Sequence, residues 1–144
     1  MSKINSIAIV FSCALLSACG FHTPTNTQLN ASITGNIDGD FATELKKYFD
    51  INAQRSLTVN IGAETKKEQV SAYEQGDSSS YILTFSVPIK ILDNKKLLLS
   101  KTLTATTAVS DLPTQANNLQ IISSYKRLRS EVVGKLLRRL KTLK

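Results

Sequence analysis

Few residues in this chain could carry bond-making chemistry. Cysteine stands only at positions 13 and 19, histidine only at 22, and tryptophan is absent. A Ser-His-Asp or Cys-His arrangement could be built only around His22, and a His/Cys zinc site would have at most three ligands, Cys13, Cys19 and His22. Asp77 with Ser78 to Ser80 supplies nucleophile types without an accompanying base, and turn chemistry accounts for that cluster. The inventory points to no enzyme, no metal and no cofactor. With 144 residues, 42% hydrophobic, and a net charge of +7, the chain fits one modest globular domain. At this size it can bury roughly two-thirds of its unfolded surface, so neither a disulfide nor a structural metal is required.

The spacing around Cys19 is more informative. Lys3 is followed from Ile4 to Ala18 by an uncharged, largely apolar run, the n-region and h-region of an export signal. A membrane span needs about 20 such residues. This run stops near Gly20-Phe-His-Thr-Pro, too short to stay as an anchor. Leu16-Ser17-Ala18-Cys19 resembles the lipobox of bacterial lipoproteins. The resemblance implies that a diacylglycerol is attached to the Cys19 sulfur, that residues 1–18 are removed, and that the new amine is acylated. Two or three acyl chains anchor a protein stably where one does so only marginally. Gly20 stands where Asp is the usual inner-membrane retention signal, which implies an outer-membrane lipoprotein held on the periplasmic side. Cys13 leaves with the signal peptide, so the mature chain has no thiol pair for a disulfide.

Three segments follow: a signal peptide over 1–18, a lipidated N-terminus and tether over 19–28, and a single domain over 29–144. Leu29, Ala31 and Ile33 alternate with polar residues and predict a strand ending at Gly35. Asp40 is expected to cap a short helix carrying Phe41, Leu45, Tyr48 and Phe49 on one stripe. Leu57, Val59, Ile61 and Ala63 predict a second strand that continues or bulges through Val70 and Ala72 to a turn at Glu74 to Ser80. Tyr81, Leu83, Phe85, Val87, Ile89 and Ile91 share one face of a third strand, in which Pro88 marks an edge or a bulge. After Asp93-Asn94-Lys95, Leu97, Leu99, Leu103, Ala105 and Val109 are read as the core face of a fourth strand. A helix capped near Asn117-Asn118 should bury Ile122, Tyr125, Leu128, Val132, Val133, Leu136, Leu137, Leu140 and Leu143. The fold class is α+β, a two-layer sandwich of a four-stranded mixed sheet with two helices on one face, in the order β-α-β-β-β-α.

Charge is concentrated in the last helix. From Lys126 to Lys144 there are eight basic residues and one acidic residue, Glu131, while the rest of the mature chain is near neutral. A solvated face whose cations favour the helix C-terminus explains part of this. The functional reading is an anionic partner, such as lipid A phosphates, a phospholipid surface or an acidic protein patch. Nucleic acid is disfavoured, since the chain is exported and no aromatic residues interleave the basic ones. Lys66-Lys67 and Lys95-Lys96 are two further basic pairs and stand as candidate anionic-lipid contacts. Thr58, Asn60, Thr84, Ser86, Ser100, Thr102, Thr104 and Thr106 fall on the sheet's second face, a hydroxyl and amide surface that points to contact with another polar surface.

Cys19-Gly-Phe-His22, the element order, Tyr81-Ile-Leu83 opening the third strand and Val132-Val-Gly-Lys-Leu-Leu-Arg-Arg-Leu140 together resemble the LPS-assembly lipoprotein LptE family. That resemblance implies a non-enzymatic plug inside the LptD-type outer-membrane β-barrel, which helps that barrel assemble and takes part in lipopolysaccharide delivery. It makes the barrel the expected partner and lipopolysaccharide a possible second. Some members carry a basic residue in the hairpin between the second and third strands and another in the loop before the last helix. Here those segments read Glu74-Gln-Gly-Asp77 and Pro113-Thr-Gln-Ala-Asn117, without a positive charge. The alternative reading is another outer-membrane lipoprotein, a periplasmic binding or adaptor module for phospholipid or cell wall.

Overall fold

The computed structural model describes residues 31–50, 57–71, 80–110 and 114–143. The signal peptide, the lipobox, Cys19, His22, the tether and Leu29 lie outside them, as do Ala72, most of the Glu74 to Ser80 turn, and Pro113. Five strands and two helices follow in the order β-α-β-β-β-β-α: β1 (Ala31–Gly35), α1 (Asp40–Lys46), β2 (Leu57–Ile61), β3 (Thr65–Ser71), β4 (Ser80–Asp93), β5 (Lys96–Ser110) and α2 (Thr114–Thr142). The α+β class and mixed sheet agree with the sequence reading. The extra strand comes from a break inside the expected second one.

Strand β4 organises the sheet. Along one edge it pairs antiparallel with β3 through its first half and with β2 through its second. Along the other edge it pairs antiparallel with β5 over its whole length. Strand β1 lies parallel to β2, with α1 in the connection, as a parallel pair requires. Strands β2 and β3 are one strand interrupted at Gly62-Ala63-Glu64, because the pairing with β4 shifts by one residue there, from Ile61↔Ile89 to Thr65↔Ser86. The interruption lies opposite Pro88. In an antiparallel strand the N–H and C=O of one residue point to the same edge, and the Pro88 carbonyl accepts the Gly62 N–H at 2.8 Å. The donor that proline lacks is therefore missing on the bulged side, where no ladder bond needs it. A Cβ on Gly62 would stand 3.0–3.3 Å from the Pro88 ring, so glycine lets the two backbones approach.

The two helices cover one face. Phe41, Leu45, Val59, Ile61, Leu83, Phe85, Val87, Ile89, Ile91, Leu128, Val132, Leu136 and Leu140 are all buried in a single core. Phe41 of α1 meets Phe85 of β4 with ring centroids 6.5 Å apart. Six positions of the predicted α2 stripe are buried, from Tyr125 to Leu140. Ile122 is exposed because it lies on the outward face of a turn that packs Ile121, Ser124 and Tyr125 inward, Leu143 is exposed just past the helix C-terminus, and Leu137 lies at the margin of the stripe.

Four local expectations are corrected. Asp40 does not cap α1: Gly39 occupies the N-cap without a side-chain hydrogen bond, and Glu64 Oε1 accepts the Phe41 N–H at 2.8 Å from the bulge. Asp40 instead pairs with Arg129 of α2, and Tyr48 is exposed. Asn117-Asn118 do not cap α2, which starts at Thr114 and includes Thr114 to Asn117, expected as loop. Leu97 is not a core residue. Ile91 pairs with Leu99 but Leu92 with Leu97, which leaves Leu98 as an extra residue in β5 and reverses the faces on either side of it. Leu97 is 53% exposed.

Candidate interaction surface

Register places the residues of the uncovered sheet face in rows. Ser32 and Thr34 of β1 stand beside Thr58 and Asn60 of β2, then Lys90 and Leu92 of β4. Farther along β4, Thr84 and Ser86 are flanked by Lys67 and Thr65 on one side and Thr106 and Thr104 on the other. These side chains bond across strands: Ser32 Oγ donates to Thr58 Oγ1 at 3.1 Å, Asn60 Nδ2 to Thr34 Oγ1 at 3.2 Å, and the hydroxyls of Ser86 and Thr104 lie 3.0 Å apart. Lys67 and Lys90 are the charged strand residues that register puts here among the described residues. All eight hydroxyl and amide residues expected on this face are on it. Beside the bulge the face holds an open depression of about 480 Å³, lined in part by Asn60, Gly62, Pro88, Lys90, Ser100 and Thr102.

The candidate lysines do not converge. Adjacent strand residues point to opposite faces, so Lys67 stands on the polar face while Lys66 lies on the helix side, its Nζ 5.6 Å from the centre of the Tyr125 ring. The Tyr125 hydroxyl donates to the Lys67 carbonyl at 3.0 Å. Burial pushes the Tyr125 pKa up, and the nearby Glu68 carboxylate adds to the shift. Lys95 and Lys96 lie at the β4–β5 tip, where Asn94 and Lys95 both take positive φ, 46° and 72°, as a two-residue I′-type hairpin turn demands. Lys66 pairs with Phe85 and Lys96 with Asp93, eight residues apart on β4 and hence roughly 27 Å apart along the sheet. The four lysines form no single basic site.

A further basic region was visible in the sequence only as a charged helix. On α2, Lys135 Nζ donates to the Thr104 carbonyl at 2.7 Å and pairs with Glu131 at 2.8 Å. Leu103, Lys135, Arg138, Arg139 and Thr142 line a groove of about 350 Å³ between α2 and β5. Among the described residues no group of three or more His, Cys, Asp or Glu could hold a metal, and no helix is long and apolar enough to cross a membrane. The surface offers hydrogen bonding and positive charge.

Solved structures share this architecture. Rare lipoprotein B from Shewanella oneidensis superposes with a TM-score of 0.66 over 78% of this chain and 94% of its own, at 13% identity. The fold is that of rare lipoprotein B. A minor lipoprotein from Acinetobacter baumannii gives a TM-score of 0.61 at 18% identity, covering 81% of this chain and 92% of its own. An uncharacterized lipoprotein B from Nitrosomonas europaea gives 0.58 at 17%, covering 77% and 84%. Rare lipoprotein B structures are those of the LptE family, so the resemblance read from the sequence holds for the fold. No family model and no curated protein matches the chain, and no enzyme family is indicated.

Proposed function

We propose that this chain is an outer-membrane lipoprotein, acylated at Cys19, that plugs and helps assemble an LptD-type β-barrel and so takes part in lipopolysaccharide delivery to the outer leaflet. The observation that carries this reading is the rare lipoprotein B fold over most of the chain. The uncovered sheet face supports it. A barrel lumen is lined by polar groups, and a face of paired hydroxyls and amides can meet such groups without stripping water from ions. The anchor follows from Leu16-Ser17-Ala18-Cys19, since the thioether needs a thiol that serine cannot replace.

Two measurements test the two halves. Labelled palmitate should enter the wild-type chain and not the Cys19→Ala variant, and incorporation into the variant at the wild-type level removes the lipoprotein assignment. Affinity purification of the lipidated chain from outer membranes should recover a β-barrel protein. Recovery of no barrel leaves the adaptor reading in its place.

A further inference from the structure

One end of the sheet gathers the point of chain entry and an apolar tip ringed by lysines. Ala31, the first residue of β1, pairs with Leu57, Leu57 with Asp93, and Asp93 with Lys96. The start of the domain and the β4–β5 tip therefore lie in one row across the sheet. Helix α2 runs antiparallel to β5, because Arg127 bonds Thr107 and Lys135 bonds Thr104. Its last turns, with Arg138, Arg139 and Lys141, point toward the same end but meet β5 at Leu103, opposite Val87 and about midway along the strand, so the helix stops short of the tip.

The tip combines leucines with lysines. The extra residue at Leu98 leaves Leu97 53% and Leu98 38% exposed, with Leu92 and Leu99 half-buried behind them. Lys90, Lys95, Lys96 and Lys101 surround them and are exposed, and Asp93 is the acidic residue in this stretch. Leucines at a hairpin tip ringed by cations match a bilayer interface, where apolar side chains enter the acyl boundary and ammonium groups stay among the phosphates.

We propose that this end of the domain, through Leu97, Leu98, Lys95, Lys96 and Lys101, rests on an anionic phospholipid surface as a second point of membrane contact. The proposal rests on the lipid-anchor part of the function above and does not need the barrel. Twelve residues separate Cys19 from Ala31, a reach of at most roughly 40 Å. That tether delivers the chain to the end carrying the tip and holds it near the bilayer at millimolar-scale effective concentration, so even a weak contact is populated. In the chain before it enters a barrel, the acyl chains supply affinity and the tip supplies orientation, setting the sheet on end against the membrane with Ser80 and Ser110 at the far end.

The test uses the full lipidated chain on phosphatidylcholine vesicles with and without phosphatidylglycerol. An environment-sensitive fluorophore is placed at Leu97→Cys, or at Leu98→Cys should the first variant fold poorly, and at Ser110→Cys as control, roughly 40 Å along β5. A nitroxide carried on the lipid should quench the tip label in phosphatidylglycerol vesicles and leave the control bright. Each lysine at an anionic surface contributes roughly a factor of five, so Lys95→Gln with Lys96→Gln should lower the docked-to-undocked ratio roughly 30-fold. Equal quenching at both labels, no quenching at the tip, or quenching indifferent to phosphatidylglycerol and to the two lysines overturns the proposal. Palmitate incorporation separates the failures. An acylated, vesicle-bound chain with an unquenched tip sinks the tip alone, whereas an unacylated chain that stays off the vesicles sinks both. Quenching of an unacylated chain upholds the tip without the anchor.

Discussion

Leu136 and Leu137 are neighbours in sequence with different surroundings. Leu136 is fully buried against the sheet, and Leu137 packs only partly at the margin. Leu136→Ala should cost about 2–5 kcal/mol, the range for a large-to-small change in a packed core, and Leu137→Ala clearly less. Chemical unfolding of the two variants measures the difference, and equal losses would mean the helix is rotated about its axis. Tyr125 has a pH signature. Its folded pKa lies above the ordinary 10.0, through burial first and then Glu68. The neutral phenol is thus the form the fold favours. Its contribution is complete below the unfolded value and is lost as pH rises through the folded one. Tyr125→Phe should lose about 1 kcal/mol at neutral pH with the bond to the Lys67 carbonyl, and should show a shallower further loss than wild type in alkaline denaturation.

At the scale of elements, two glycines predict opposite outcomes. Gly35 ends β1 with φ of 86°, and a Cβ there would strike the backbone of Ile61, whose carbonyl accepts the Asn36 N–H. Gly35→Ala should cost about 1–3 kcal/mol from strain alone. Gly134 lies inside α2, and a Cβ there would meet only Arg138 at 3.7 Å, so Gly134→Ala should stabilise by about 0.5–1 kcal/mol. Thermal unfolding of the pair checks both signs. The elements differ in how far the sequence reveals them. Strand β4 is legible because Leu83, Phe85, Val87, Ile89 and Ile91 alternate without a miss and all are buried. Strand β5 is misread at its start because Leu97-Leu98-Leu99 hides a change of phase, and a run of one residue type cannot show where the extra residue sits. The cap of α1 is hidden for another reason. Glu64 is 23 residues from Phe41, and a side chain supplied across the fold leaves no local spacing to read. The start of α2 lies before Asn117, whose cap-forming side chain type proved no barrier to helix.

At the scale of the molecule, the sheet divides two environments, a helix-covered core and a face of hydroxyls crossed by Lys67 and Lys90. The composition of that face was legible from period-two alternation. What covers it was not, since Thr is also a good strand former. The plug reading assigns the cover to a barrel lumen, and charge placed there tests it. Thr102 and Thr104 are exposed on β5, pointing away from the core, and Thr104 shares a hydroxyl contact with Ser86. Asp at both positions puts two like charges on one side of one strand, where water solvates them in the free domain, so the variant should fold with less than about 1 kcal/mol lost, as surface changes generally do. Inside a barrel the same carboxylates must shed water against groups arranged for neutral hydroxyls, a desolvation that unpaired charges do not recover. Cells carrying Thr102→Asp with Thr104→Asp should therefore yield less barrel on purification of the lipoprotein and become more sensitive to large hydrophobic antibiotics. Full recovery of the barrel with a normally folded double variant would place the contact away from this face, on the basic side of α2 or the β5 edge.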